Sequence, residues 1–270
     1  MSGQAERAAQ NSAVERLARV GLTAKGVLYT TVAVLALQLA FGLGGEATDQ
    51  QGALRALGQQ PFGQAILGLL AVGLAAYALW RLSQFVLDPS GSDDAKGKAE
   101  RLSYLLRALV YAVLCVTAVR LLTGSESSSG GEEQAASGLL GVPGGRILVA
   151  VIGVVIAGVG LYQGRKGITR DFVQDLQTAR MSASQRAAVT RLGVAGLLAR
   201  AVVFTLIGFF FLSAALADDA SRARGLDAAL AELAQTPAGP WLLVVVAAGL
   251  LAYGLFSFAL ARYGRVRGMD

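Results

Sequence analysis

Six long apolar stretches, separated by segments that hold nearly all of the charge, set the strongest limit on what this chain can fold into. They cover residues 21–41, 62–82, 104–122, 147–164, 198–217 and 241–261. A helix needs about 20 mostly apolar residues to cross the roughly 30 Å hydrocarbon core of a bilayer. Each stretch is close to that length, and the mean hydropathy of +0.54 is far above that of a soluble domain. The sequence therefore predicts an all-α polytopic membrane protein with six transmembrane helices.

The six stretches fall into three repeats of two helices. The odd helices share a cation followed four residues later by an aromatic residue: Lys25 and Tyr29, Arg107 and Tyr111, Arg200 and Phe204. The even helices share a glycine followed four residues later by a tyrosine: Gly73 and Tyr77, Gly158 and Tyr162, Gly249 and Tyr253. Units with an even number of helices insert in the same orientation, as parallel repeats about an axis along the membrane normal. We therefore predict a pseudo-threefold bundle, and a closed ring of hairpins is favoured over a linear array.

The repeats divide the chain into six segments. These are an N-terminal tail (1–15), repeat one (16–88), repeat two (89–168), a linker helix (169–188), repeat three (189–263) and a C-terminal tail (264–270). The linker is predicted to be an interfacial helix because Phe172, Leu176 and Ala179 recur at helical spacing. Leucines three or four apart also predict short amphipathic helices in the outer loops of repeats one and three, as re-entry connectors or as lids over a cavity.

The distribution of Lys and Arg predicts the orientation. Nineteen of the 24 basic residues, but only half of the 18 acidic ones, lie in the termini and in the segments on the same side of the membrane as the termini. Cytoplasmic loops carry the excess of basic residues. We expect both termini in the cytoplasm, a location in the inner (plasma) membrane, and anionic lipid headgroups as partners on the cytoplasmic side. Other membrane proteins are possible partners, and nucleic acid is not expected.

The residue inventory excludes several kinds of chemistry. The chain has no histidine and one cysteine, Cys115, which excludes an internal disulfide, a Ser-His-Asp triad and a histidine-bound metal or haem. Each Asp and Glu falls in a loop or at the end of a span, and no glycine-rich phosphate loop is present. We therefore expect no enzymatic activity, no cofactor and no metal site.

Three cations are the first candidate binding residues. Lys25, Arg107 and Arg200 occupy equivalent places in the odd helices, about one turn inside the predicted cytoplasmic end. Charges inside a span are costly and often functional. If they face a common axis, they form a cationic ring that binds an anion or a lipid phosphate. The alternative is that each side chain extends to the nearby headgroups and anchors the topology.

Three tyrosines are the second set of candidates. Tyr77, Tyr162 and Tyr253 recur near the inner ends of the even helices. An interfacial aromatic belt is one interpretation. A gate or a stacking platform is the other.

These motifs resemble the integral membrane proteins that carry domain of unknown function 1206. The resemblance rests on Gly21, Lys25, Gly26 and Tyr29, on the run from Gly52 to Leu57, on Pro61-Phe-Gly63, and on the run from Gly73 to Arg81 with Asp88-Pro89 after it. It covers about residues 16–263 and implies about three copies of a two-helix unit. It implies no reaction, because the activity of that family is unassigned.

Two functions remain open at this point. A structural or accessory protein in a membrane assembly fits the absence of catalytic groups and the many glycines, which allow close helix packing. A small transporter or channel for an anionic or small solute, along the pseudo-threefold axis, is the alternative. The residues that would line its inner mouth are the three cations.

Overall fold

The computed structural model describes residues 2–43, 49–87, 95–124, 131–235 and 237–265. Within these ranges the chain forms nine α-helices and no β-strand. They are α1 (Ser2–Ala40), α2 (Gln50–Gly58), α3 (Gly63–Leu87), α4 (Ala95–Leu122), α5 (Gly131–Leu140), α6 (Gly145–Thr169), α7 (Ala183–Ala217), α8 (Leu226–Gln235) and α9 (Gly239–Tyr263). The predicted all-α fold class is confirmed.

Six of these helices, α1, α3, α4, α6, α7 and α9, are long and apolar enough to cross a bilayer. Their apolar spans are Glu15–Ala40, Gly63–Leu87, Arg101–Leu122, Gly145–Thr169, Ala183–Ala217 and Gly239–Tyr263. Each contains most of one predicted stretch, so the six predicted spans are confirmed. Several spans are longer than predicted, mainly at the ends where the sequence has charged residues.

A short helix joins the two long helices of each repeat. The predicted outer helices of repeats one and three are α2 and α8, and both carry buried apolar residues such as Leu54 and Leu230. Repeat two has an equivalent helix, α5, although it lacks the leucine pattern that predicted the other two. All three repeats are therefore built as long helix, short helix, long helix.

The six long helices form a ring that is open at one place. The most extensive interfaces are α6 with α7, α1 with α9, and α3 with α4, each of which joins the second helix of one repeat to the first helix of the next. The pairs α1 with α3 and α7 with α9 close the hairpins of repeats one and three. Within the described residues, α4 and α6 of repeat two share no comparable interface. The pseudo-threefold order of helices is present, but the expectation of a closed ring is wrong at this α4–α6 gap.

Glycines at equivalent positions explain why two of the hairpins close. A methyl group added to Gly21 of α1 would lie 2.6 Å from the Cα atom of Tyr77 in α3. A methyl group added to Gly196 of α7 would likewise lie 2.6 Å from the Cα atom of Tyr253 in α9. Both distances are far below van der Waals contact, so only glycine lets the backbones approach this closely.

Repeat two lacks these small residues. When the repeats are aligned on their cations, Ser103 occupies the position of this glycine and Leu106 occupies the position of Ala24. In repeat one a methyl group on Gly73 would lie 2.6 Å from the Cβ atom of Ala24, whereas a methyl group on the equivalent Gly158 of α6 would have no neighbour within 4 Å in the described part of the chain. The larger side chains of α4 therefore account for the unclosed hairpin.

The linker between repeats two and three is not the helix predicted over residues 169–188. Two 3-10 turns, Asp171–Asp175 and Thr178–Arg180, precede α7. Phe172 and Leu176 are buried, as the apolar pattern suggested, but the backbone at Leu176 is extended. The N–H of Gln177 then donates to the carbonyl of Tyr263, at 2.7 Å. Backbone partners at the end of α9 thus replace those that a local helix would supply.

The two termini of the bundle lie at the same end. The guanidinium of Arg19, near the start of the first span, donates to the carbonyls of Ala261 and Arg262 at the end of the last span, at 3.3 Å each. The region predicted as an N-terminal tail is helical from Ser2. The predicted boundary between repeats one and two and most of the C-terminal tail lie outside the described residues.

Candidate functional site

The first predicted cation lies deeper than the sequence suggested. The apolar stretch read from the sequence begins at residue 21, which put Lys25 about one turn inside the membrane. The span of α1 begins at Glu15, so Lys25 lies ten residues, or about 15 Å, along it. Tyr77 and Tyr253 also lie ten residues from the ends of α3 and α9. These three residues are therefore near the middle of the bundle rather than at its rim.

The three predicted cations differ in burial. The side chain of Lys25 is only 8% exposed, that of Arg200 is partly buried, and that of Arg107 is exposed. Arg107 still lies on the same face of α4 as the buried Tyr111, one turn away. The structure therefore brings Lys25 and Arg200 together inside the bundle and places Arg107 at its edge.

The three predicted tyrosines also separate into two groups. Tyr77 and Tyr253 are buried, whereas Tyr162 is 61% exposed. Side chains enclosed by protein cannot lie among lipid headgroups, so the aromatic-belt interpretation is wrong for Tyr77 and Tyr253. For Tyr162 it stays a prediction.

Lys25 lies between two aromatic rings. Its Nζ atom is 4.9 Å from the centre of the Tyr253 ring and 5.6 Å from the centre of the Tyr77 ring. Both distances are within the range of a cation–π interaction. Because Tyr77 is on α3 and Tyr253 is on α9, this one side chain of α1 contacts both neighbouring helices.

Arg200 approaches the same tyrosine from the other side. Its guanidinium donates a hydrogen bond to the hydroxyl of Tyr253. The guanidinium carbon is 4.4 Å from the centre of the Tyr253 ring and 5.3 Å from that of Tyr29. The Nε atom of Arg200 is buried and has no hydrogen-bond partner among the described residues. The guanidinium therefore keeps a free donor inside the protein.

Two residues that were not selected from the sequence complete this site. The ring centres of Tyr29 and Tyr253 are 4.8 Å apart, and those of Tyr77 and Tyr111 are 4.3 Å apart. Tyr29 and Tyr111 are the aromatic residues that follow the cations in the repeat pattern, so the pattern contained the signal. We call Lys25, Tyr29, Tyr77, Tyr111, Arg200 and Tyr253 the central cluster.

Arg81 supports the cluster from α3. Its guanidinium donates to the hydroxyl of Tyr77 at 3.0 and 3.1 Å and to the side-chain oxygen of Gln84 at 2.6 Å. Its guanidinium carbon is 4.1 Å from the centre of the Trp80 ring. Arg81 therefore fixes the orientation of Tyr77 and adds positive charge beside the two cations of the cluster.

The charge of the cluster is not neutralised by the chain within the described residues. The ion pairs in these ranges are Arg19 with Glu15, Lys166 with Asp175 and Arg222 with Asp219. None involves a cation of the cluster. Tyrosine rings and hydroxyls stabilise a cation through their quadrupoles and dipoles, but they carry no opposite charge. A buried cation without a counter-ion is costly, so this arrangement favours an incoming anion.

At the open side of the ring, the tyrosine of α6 does not take part in the central cluster. Tyr77 pairs with Tyr111, and Tyr253 pairs with Tyr29, across equivalent interfaces between repeats. The third such pair would be Tyr162 with Phe204, but Tyr162 is exposed. The cluster is therefore bounded by α1, α3, α4, α7 and α9, and it lacks the tyrosine that α6 would supply at the α4–α6 gap.

The outer helix α2 covers the end of the cluster at which Tyr29 lies. The side-chain amide of Gln50 donates to the hydroxyl of Tyr29 at 3.2 Å. One residue earlier, Asp49 caps α2 by accepting the N–H of Gly52 at 2.8 Å. Burial raises the pKa of Asp49 above its ordinary value, and the nearby carboxylate of Asp227 in α8 adds to this effect. The N-terminus of α2 and the acidic Asp227 of α8 are therefore close enough to influence each other electrostatically.

Comparison with known proteins supports the repeat organisation. The family model of a domain of unknown function, DUF1206, matches residues 20–86, 102–170 and 195–264, one segment per repeat. The chain is 31% identical over 251 residues to a protein of Bacillus subtilis (strain 168) named uncharacterized protein YxxB, with 93% of this chain and 91% of that protein covered. No solved structure matches the chain. With three family segments on three structural repeats, the chain belongs to the DUF1206 family.

Proposed function

We propose that this protein binds a small anion in the membrane interior, at the central cluster. The observation that carries the proposal is the pair of cations Lys25 and Arg200, which face the same tyrosine and have no carboxylate partner within the described residues. The Nε donor of Arg200 can give the anion a hydrogen bond that no group in the described part of the chain accepts.

The α4–α6 gap provides the route to the cluster in this proposal. Arg107 is exposed on the cluster-facing side of α4, and the missing tyrosine pair leaves that side without an aromatic wall. An anion that enters here meets Arg107 first and the deeper cations afterwards. Graded cationic sites of this kind are used by anion-selective pores. We therefore extend the proposal from anion binding to the movement of an anion through the membrane.

The binding step is tested with purified protein in phosphatidylcholine nanodiscs. The thermal midpoint is measured with chloride, sulfate or phosphate against gluconate, a bulkier anion. An anion at about 100 times its dissociation constant stabilises a protein by about 2.7 kcal/mol, which shifts the midpoint measurably. Lys25→Met should remove the response.

Arg120→Met is the matched control. It removes an exposed cation from the end of α4 opposite to Arg107, so it should keep the response. A midpoint that no anion changes, or one that responds equally in Lys25→Met, would contradict the proposal. Anion flux into vesicles that contain the protein then distinguishes transport from static binding.

A structural or accessory role is the second candidate, and the α4–α6 gap favours it too. Within an 18-residue apolar window of each span, only 28% of the residues are buried in α4 and α6, against 50% in α1 and α9. A transmembrane helix of another protein that filled the gap would complete the ring. Such a partner would also supply the packing surface that the open hairpin of repeat two lacks.

Photo-crosslinking in native membranes tests this second role. Probes at Val113 on α4 and Val151 on α6 should crosslink to a protein, whereas a probe at the equally exposed Val72 on α3 should reach only lipid. Protein crosslinks of equal yield at all three positions, or at none, would count against an occupied gap.

We also propose that the protein lies in the inner (plasma) membrane with both termini in the cytoplasm. In this proposal it contacts anionic headgroups on the cytoplasmic side and acts without catalysis or a cofactor. The excess of basic residues at the end of the bundle that carries the termini supports the orientation.

A further inference from the structure

We propose a second binding site, separate from the central cluster: a groove beside the linker that binds one anionic phospholipid by its headgroup phosphate. The groove lies between the linker and the first half of α7, with a volume of about 1170 Å³. Its lining consists of Arg170, Val173, Thr178, Met181, Ala183, Arg186, Ala187, Thr190, Arg191, Val194, Ala195 and Leu198. This site does not depend on whether the central cluster binds an anion.

The charge of the groove has one sign. Arg170, Arg186 and Arg191 are exposed, and no acidic residue is among the lining. The nearby carboxylate of Asp175 is held in an ion pair with Lys166, at 2.9 Å, so it does not neutralise these arginines. Three guanidinium groups around one groove match a phosphate group, which accepts several charge-assisted hydrogen bonds.

The groove changes from polar to apolar along α7. Along α7 the lining residues recur at positions i, i+3, i+4, i+7, i+8 and i+11, which form one stripe of the helix: Ala187, Thr190, Arg191, Val194, Ala195 and Leu198. The first half of the stripe contains the polar Thr190 and the cation Arg191, whereas its last three members are apolar. A soluble phosphate would use only the first half of this surface, but a phospholipid would use both halves.

The apolar stripe continues beyond the groove along α7. Val202 and Phe209 follow Leu198 on the same face of α7, and all three are exposed. From Leu198 to Phe209 the helix rises by about 16 Å, roughly half of the hydrocarbon core. This length matches an acyl chain within one leaflet. The stripe thus offers a path for the chain of a lipid whose phosphate lies among the arginines.

The linker wall of the groove is held in place by contacts outside the groove. Gln177 donates its N–H to the carbonyl of Tyr263, and Arg265 donates its N–H to the carbonyl of Asp175. Phe172 is buried and packs edge-on against Phe256 of α9, with 5.1 Å between ring centres. The groove is therefore formed in advance, which lowers the entropic cost of ordering a lipid.

The test is native mass spectrometry of the whole protein released from nanodiscs of phosphatidylcholine with phosphatidylglycerol. We expect the wild type to retain one phosphatidylglycerol, and Arg186→Gln/Arg191→Gln to lose it with a fall in affinity of roughly tenfold or more. Arg165→Gln/Arg180→Gln is the matched control, because it removes two exposed arginines from the same end of the bundle but outside the groove.

Each outcome decides the proposal. The proposal is supported if Arg186→Gln/Arg191→Gln loses the phosphatidylglycerol and the control Arg165→Gln/Arg180→Gln retains it. Equal loss in both pairs would mean general attraction to positive charge and would overturn it. Displacement of the lipid by soluble glycerol phosphate would overturn the lipid as ligand in favour of a free phosphate ester. Thermal midpoints of both pairs in phosphatidylcholine alone verify that the variants are folded.

Discussion

Repeats one and three differ from repeat two in the one place where all three should be alike, the contact between the two helices of the hairpin. In repeats one and three a glycine of the first helix lies against the backbone of a tyrosine in the second, at Tyr77 and Tyr253. In repeat two a serine takes the place of the glycine, and Tyr162 is exposed. The same helix order thus gives two closed hairpins and one open one.

This difference teaches that a pattern of large residues does not determine helix packing in a membrane. The cation, the aromatic residue and the tyrosine occur in all three repeats, yet only two repeats bring their cation and tyrosine together. Lipid gives no hydrophobic drive for helix association, so approach depends on small residues that allow backbone contact. The functional consequence is an asymmetric cluster with one accessible side.

The largest expected effect comes from filling the glycine contact in a closed hairpin. Gly73→Leu places a side chain against Ala24 and should destabilise the protein by about 3 kcal/mol or abolish folding, because α1 and α3 must separate. Gly158→Leu is the equivalent change in repeat two and should stay within about 0.5 kcal/mol. Unfolding in a mixed-micelle titration measures both, and similar losses would mean that α6 also packs through its glycine.

The opposite change should close the open hairpin. Ser103→Gly with Leu106→Ala gives α4 the small residues of α1 and α7, so α4 and α6 should approach to an axial distance of about 10 Å. Cysteines at Val113 and Val151, in a Cys115→Ala background, should then crosslink faster than in the parent. If the crosslinking rate does not change, these two side chains are not what keeps the gap open.

A smaller effect is expected at the tyrosine hydroxyls. Tyr253→Phe removes the acceptor of a hydrogen bond from the buried guanidinium of Arg200 and should cost about 1.5 to 3 kcal/mol. Tyr162→Phe removes an exposed hydroxyl and should change the free energy of unfolding by less than about 0.5 kcal/mol. Equal values for the two variants would show that Tyr162 has an equivalent partner after all.

The smallest effect concerns Asp49, the residue that caps the outer helix α2. Burial raises the pKa of Asp49 above its ordinary value of 3.8. The protonated form is therefore favoured in the folded state, and the stability from this group is present below that value and lost as the pH rises through the raised pKa. Thermal midpoints should show this decline in the wild type and not in Asp49→Asn, which keeps the helix cap.

Asp219→Asn is the control for the pH series. Its carboxylate accepts hydrogen bonds from the amide and hydroxyl of Ser221, which lower its pKa, so it contributes a change of the opposite sign. The decline with rising pH should therefore persist in this variant. A decline that also persists in Asp49→Asn would locate its origin elsewhere.

The sequence predicted the spans well and the site only in part. Lys25, Arg200, Tyr77 and Tyr253 were identified from the repeat, whereas Tyr29 and Tyr111 belonged to the same pattern but were not selected. The depth of Lys25 was misjudged because Glu15 and the arginines after it made the start of α1 look like a tail. The linker was predicted as a helix because apolar spacing cannot reveal that the end of α9 supplies its backbone partners.

The sequence by itself determined the number of transmembrane helices, the three repeats and their common orientation, because the thickness of the bilayer and the need for satisfied backbone groups allow almost no other solution. The tertiary structure alone decided which repeat leaves the ring open, which cations become buried, and that α7 and the linker enclose a basic groove. These outcomes depend on how closely helices distant in the chain can approach, and side chains only a few atoms larger, such as Ser103 and Leu106 of α4, are enough to change that approach.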